Sequence, residues 1–246
     1  YVSGGLAFTR QTNMLVTLND VSATTKTVNA LVFGAGNVDM FVGNGPYFED
    51  TDHDGDIDDL DIRNSDAIGL AMENANFAYM LMTPTVGTGA KPKYKALKAT
   101  ADRIGLVGID ALTLSATGLV VEYNSVSNPS NPDDTTVVDF TKMVGGHYTA
   151  DTGYGTLEFD YSTRRLVAEV READLQIASN VFIRGGLAFS KGAPQIVKMS
   201  DGTTKTVSGF EIGANDLSVF VGTNGPYWLN STGTEINSKA VGVALE

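Results

Sequence analysis

Seven aspartates crowd the twelve residues from Asp50 to Asp61. Asp50, Asp52 and Asp54 stand at positions 1, 3 and 5 of that stretch, Gly55 at 6, Asp56 at 7, Asp58 at 9 and Asp61 at 12. Alternate carboxylates on a tightly curled loop converge on one point, and the glycine supplies the sharp turn that lets them do so. A hard cation takes about six to eight oxygens, so this spacing predicts a Ca²⁺ site in which Asp50, Asp52, Asp54, Asp58 and Asp61 offer carboxylates and Asp56 its backbone carbonyl. Ile57, at position 8, is the apolar anchor of such a loop. Without a cation, so many like charges at close range repel one another.

Other residues able to do chemistry are sparse. The two histidines are His53, inside the acidic loop, and His147, in Gly145-Gly146-His147-Tyr148. His147 near Asp151 lacks a nucleophile motif and reads as a loop histidine. Glu158, Asp160, Glu169 and Glu172 fall on strand-like segments and read as alternating charges on exposed faces, not as the carboxylate pair of a glycosidase. Cysteine is absent, which removes disulfides, thiolate zinc sites and cysteine nucleophiles together. The sequence therefore predicts no enzyme and no catalytic residues.

The elements that must position the aspartate loop come into view through an internal repeat. Gly4-Gly5-Leu6-Ala7-Phe8 returns as Gly185-Gly186-Leu187-Ala188-Phe189, an offset of 181, and Thr24 to Val28 returns as Thr203 to Val207, an offset of 179. Phe41-Val42-Gly43 matches Phe220-Val221-Gly222, and Asn44-Gly45-Pro46-Tyr47 matches Asn224-Gly225-Pro226-Tyr227. Asn64 to Glu73 aligns with Asn237 to Glu246 at offset 173. The organisation expected is one complete unit over 1–181 and the first part of the next over 182–246, an excerpt of a longer polypeptide. In the second unit the segment from Trp228 to Ile236 keeps a single carboxylate, Glu235, so calcium is expected in the first loop and not in the second.

Alternation at period two dominates the rest: Leu166, Ala168 and Val170 face one way, Glu169 and Arg171 the other. Runs such as Ile104 to Ile109, Leu112 to Leu114, Leu119 to Tyr123 and Phe77 to Met82 suggest strands of about five to seven residues joined by tight turns. Lys93 to Ile104 carries Tyr94, Leu97, Ala101 and Ile104 at helical spacing, and its Thr and Lys content suits an edge strand equally well. Ser125 to Thr136 reads as an exposed loop. The fold class expected is all-β and repeat-built, an elongated β-solenoid or extended β-sheet stack, with an antiparallel β-sandwich as the alternative.

With 29 acidic against 17 basic residues the chain carries a formal charge of −12, which repels nucleic acid and anionic lipid. Its apolar runs are far shorter than the roughly 20 residues a membrane-spanning helix needs. An acidic, cysteine-free chain rich in Gly, Thr, Asn and Asp fits an exported bacterial surface protein.

The aspartate loop resembles those of dockerin modules, thrombospondin type 3 repeats and EF-hands, although no helix is expected before Asp50 and no second loop comes after it. The unit as a whole, with its Gly-Gly-Leu-Ala-Phe, Val-Phe-Val-Gly-Thr-Asn-Gly-Pro-Tyr-Trp, Asn-Ser-Lys-Ala-Val-Gly-Val and Ala-Leu-Lys-Ala-Thr-Ala segments, resembles repeats of giant RTX-adhesin-like bacterial surface proteins. That resemblance implies a secreted or cell-surface structural or adhesive module, with neighbouring copies of the same repeat as head-to-tail partners in an extracellular fibre. Surface glycans are a further expected partner. The runner-up is a secreted carbohydrate-binding module or polysaccharide-acting enzyme; an aromatic beside the Gly-Pro turn, Phe48 or Trp228, would be its sugar-stacking ring.

Overall fold

The computed structural model describes residues 1–55, 57, 61–109, 112–230 and 235–246. The chain is all-β. Nine strands form one antiparallel sheet in the order β1 (Val2–Thr17), β2 (Thr25–Asn44), β5 (Ile68–Pro84), β6 (Lys93–Val107), β7 (Leu112–Ser127), β10 (Arg165–Ile177), β11 (Val181–Gly192), β14 (Glu211–Thr223) and β15 (Val241–Leu245). Three two-stranded excursions interrupt this meander: β3 (Phe48–Glu49) with β4 (Ile62–Arg63), β8 (Tyr148–Asp151) with β9 (Thr156–Phe159), and β12 (Gln195–Lys198) with β13 (Thr204–Val207).

The described strands form no solenoid, because coils of a solenoid stack strands in parallel, whereas consecutive strands here return through hairpins and pair antiparallel. Nor, among the described residues, does a second large sheet face the first, as a sandwich requires. The strands are also two to three times longer than the sequence pattern suggests. The cause is visible in β7, where Gly118 adopts φ 64° and separates the apolar run at Leu112 from that at Leu119 without ending the strand. Asn37, Asn74 and Asp216, with φ of 51°, 47° and 49°, interrupt β2, β5 and β14 in the same way. Each left-handed residue interrupts the local apolar alternation while the strand continues, so one long strand reads as two short ones. Lys93 to Ile104 is strand β6, and it lies inside the sheet between β5 and β7. Ser125, expected in an exposed loop, is a buried residue of β7.

Residues directly opposite one another on neighbouring strands share a face. One such row runs Thr9, Val32, Met80, Ala96, Asn124, Arg165. Over it lies a cap, residues 128–163, made of β8, β9 and two 3₁₀ turns at Phe140–Lys142 and Val144–Gly146. Val138, Phe140, Ala150, Phe159 and Tyr161 of the cap close with Val16, Val28, Ala30, Val32, Met80, Met82 and Tyr94 of the sheet into the main core. Polar pins fix the cap in place. The Asn124 amide donates to the carbonyls of Val138 (2.9 Å) and Thr163 (3.2 Å), and the Tyr161 hydroxyl donates to those of Leu97 (3.0 Å) and Tyr123 (3.3 Å). Burial, reinforced by the Glu122 charge, pushes the Tyr161 phenol well above its ordinary range. Lys98 bridges Glu122 and Asp160 at the cap margin.

The opposite face carries its own apolar row: Leu6, Ala35, Phe77, Ala99, Val121, Ala168, Phe189, Ile212, one residue from each of eight strands. Thus the strands are apolar on both faces in their middle.

Candidate metal loop and its counterpart in the second copy

The twelve residues from Asp50 to Asp61 leave the sheet through β3 and return through β4, whose pairs Phe48 with Arg63 and Glu49 with Ile62 hold the two ends of the loop together. Beneath it, Phe41, Tyr47, Ala67 and Ala71 form a small separate core. Phe41 and Tyr47 stack at 4.8 Å, and Phe48 meets Tyr47 edge-on at 4.8 Å. The Tyr47 hydroxyl donates to Glu73 (2.9 Å), which also pairs with Arg63 (2.8 Å). Burial, then the bond to Glu73, raises the Tyr47 phenol above its usual range. A loop on this base does not need the cation to hold its ends.

Carboxylate oxygens of Asp50, Asp52 and Asp54 lie within 4.8 Å of one another. Asp50 accepts from the backbone N–H groups of His53 (2.6 Å) and Gly55 (3.0 Å), and Asp52 from that of Asp54 (3.3 Å). Gly55, at φ 89°, makes the turn the sequence assigned to it, and His53 joins it at φ 64°. Asp61 reaches back to accept from the N–H of Thr51 (2.8 Å), so position 12 closes on the start of the loop. Asp56 and Asp58, the remaining two predicted ligands, lie outside the described residues. The donor set brought together is all oxygen and anionic, the chemistry suited to Ca²⁺ and unsuited to soft metals.

In the second copy the aromatic stack and the asparagine turn of the base recur, while Ile236 stands in the place of Arg63. Phe220 stacks on Tyr227 (6.0 Å) and Trp228 meets Tyr227 edge-on (5.0 Å), as Phe48 meets Tyr47. Asn64 donates its amide to the Pro46 carbonyl (2.9 Å) and its backbone N–H to that of Tyr47 (2.9 Å); Asn237 does the same to Pro226 (3.0 Å) and Tyr227 (2.8 Å). The next turn is capped identically, by Asn64 on the N–H of Asp66 and by Asn237 on that of Lys239. Phe41 lies against Gly43, and Phe220 against Gly222. A Cβ on either glycine would come within 2.6 or 2.7 Å of the ring and 2.2 Å of a carbonyl across the ladder, so only glycine fits there. Trp228 bridges to Ile236, leaving a shorter connection in which residues 231–234 lie outside the described residues.

The remaining chemical candidates are spread apart. His147 pairs with Glu158 across the cap hairpin (3.5 Å), Asp151 caps the N–H of Gly153 (2.8 Å), and Asp160 and Glu172 pair with Lys98 (3.0 Å) and Arg184 (3.5 Å). Two polar groups have no counterpart among the sites expected from the sequence. One is a line across the kinks, where Asn74 donates its backbone N–H to Asp39 (2.8 Å) and its amide to Asp102 (2.7 Å), and Asn76 accepts the N–H of Asn37 (3.0 Å). The other is a groove of about 330 Å³ beside Trp228, whose walls include Asp174, Gln176 and Arg184, with Arg184 held to Asp174 at 2.6 Å. An Asn or Asp in mid-strand is the signal that marks the first; the second joins residues over fifty positions apart and leaves no local signal.

Comparison with known proteins finds no family model, no curated protein and no solved structure that matches this chain. Among the described residues no helix is long and apolar enough to cross a membrane.

Proposed function

We propose that this chain is a structural or adhesive module of a large secreted or cell-surface bacterial protein, in which units of about 180 residues succeed one another and one loop in the unit carries a structural Ca²⁺. The reading is of a repeat-built, extended sheet, with no catalytic role. The observation that supports it best is the common register of the two copies. Leu6 faces Ala35 and Phe8 faces Phe33; at offsets 181 and 179 Leu187 faces Ala214 and Phe189 faces Ile212. Val42 faces Leu70 and Val221 faces Val243. A register is set by a whole strand's side-chain pattern, and a slip of one residue would turn every side chain to the other face. Two stretches of one chain that keep it belong to a design meant to recur.

In this reading Asp50, Asp52, Asp54, Asp58 and Asp61, with the carbonyl of Asp56, hold the cation. Its chemistry is neutralisation of crowded carboxylates, which stiffens the loop on its aromatic base. The test is small-angle scattering at rising protein concentration in calcium. Head-to-tail association lengthens the particle while its cross-section stays constant. A particle that stays monomeric, or that stops growing at a closed dimer, counts against the fibre.

A further inference from the structure

β1 lies at the border of the sheet, and among the described residues no strand pairs with its outer edge. The cap meets β1 at two places: at its far end the N–H of Asp139 donates to the Thr17 carbonyl (2.9 Å) and that of Asn19 to the Val137 carbonyl (3.0 Å), and the β8–β9 turn at Gly153 packs against the backbone of Gly5 and Leu6. Apart from the register shifts at Gly4 and between Gln11 and Met14, β1 lacks the usual guards of an edge strand. It is 16 residues long, contains no proline, and carries one charge, Arg10. Val2, Leu6 and Phe8 are largely exposed, at 70%, 71% and 68%.

The molecule itself shows what such a strand takes as its neighbour. β11 is the counterpart of β1: it shares Gly-Gly-Leu-Ala-Phe, kinks at the equivalent glycine (Gly185 as Gly4), and meets β14 in the register in which β1 meets β2. The outer edge of β11 is filled by β10, with Ala168 opposite Phe189, Glu169 opposite Ala188, Val170 opposite Leu187 and Ala173 opposite Gly185. All four facing residues of β11 recur unchanged in β1, as Phe8, Ala7, Leu6 and Gly4.

We propose that the outer edge of β1, from Val2 to Arg10, is a docking site for an extended strand of β10 chemistry supplied by another unit of the same kind. The strand lies antiparallel, with Ala168 opposite Phe8, Glu169 opposite Ala7 and Val170 opposite Leu6. It continues the apolar row of the uncapped face by placing an Ala168 beside Phe8 and a Val170 beside Leu6. The inference rests on the array reading, but it fixes a surface and a register that the array reading leaves open.

The chain has no cysteine, so engineered thiols report contacts without background. The probe is a fluorescent peptide of the sequence Arg165–Ile177, added to the full chain. Saturable binding at one peptide per chain is expected. A peptide carrying Glu169→Cys, activated as a mixed disulfide, should be trapped by the Ala7→Cys chain at least about tenfold faster than by a Val243→Cys chain, which displays its thiol on the other border strand. A peptide carrying both Ala168→Pro and Glu169→Pro should not bind, since neighbouring N–H groups point to opposite edges and one of the two must enter the ladder. Absence of binding, equal trapping at Val243, or unimpaired binding of the proline peptide overturns the proposal. Peptide capture without particle growth in scattering leaves the docking edge standing and removes the fibre; growth without capture does the reverse.

Discussion

The two copies share a sequence and a register but not an environment. Val28 and Val207 occupy the same place in the repeat, each in a Thr-Thr-Lys-Thr-Val segment, and each preceded by an aspartate that caps the turn: Asp20 accepts from Thr24 (2.7 Å) and Asp201 from Thr203 (2.9 Å). In both, the bonds to the threonine hold the carboxyl below its usual range. Yet Val28 is 0% exposed and Val207 41%. Leu18 is buried where its counterpart Met199 is exposed, and Val32 is buried where Glu211 stands in the second copy. The cap makes the difference. Phe140, Phe159 and Tyr161 cover the first copy, while the second extends its β12–β13 hairpin bare. Local pattern therefore decides strand and register, and stability depends on which stretch the cap reaches.

The largest effect expected of this difference lies at Phe159. It is fully buried, stacked on Phe140 at 5.4 Å and edge-on to Tyr161 at 5.9 Å. Phe159→Ala should cost about 3–5 kcal/mol, a large share of a typical domain's stability. Phe210→Ala, at an exposed ring that stacks on the half-buried Phe189 of the second copy, should cost within about 0.5 kcal/mol. Urea unfolding of both variants measures the gap; similar losses would mean that the cap is not the main source of stability.

The two loops form the next comparison. Calorimetric titration should give one calcium per chain, and at about a hundred times Kd the ion should add about 2.7 kcal/mol of stability. The double substitution Asp52→Asn with Asp54→Asn should abolish binding and that increment. Glu235→Gln, in the second loop, should leave both intact. Two ions, or none at millimolar calcium, would sink the assignment.

The most discriminating comparison has the smallest effect. Val28→Ala and Val207→Ala change the same residue at the same place in the repeat. The first should cost about 2 kcal/mol and the second less than about 0.5. Equal costs in the full chain would mean that the second copy is covered in solution too, and peptide or self-association would be the place to look for the cover.

Much of this was legible in the residues. The aspartate spacing placed Asp50, Asp52 and Asp54 on one point and Gly55 at the turn because a loop of alternate carboxylates has few ways to curl. The blocks around Gly4 and Gly185 and around Phe41 and Phe220 aligned because the ladder register is set by period-two patterning. Strand length was misread for a physical reason as well: a left-handed residue such as Gly118 or Asn74 interrupts the apolar pattern inside a continuous strand, so the alternation breaks as though the strand had ended. What only the tertiary structure decided is the pairing of distant groups. Val137 binds the side chain of Asn19, 118 residues away, and Tyr161 reaches Leu97 and Tyr123. Nothing local in 128–163 says which face it will cover, because that choice is made by complementarity between surfaces that exist only once the sheet has formed.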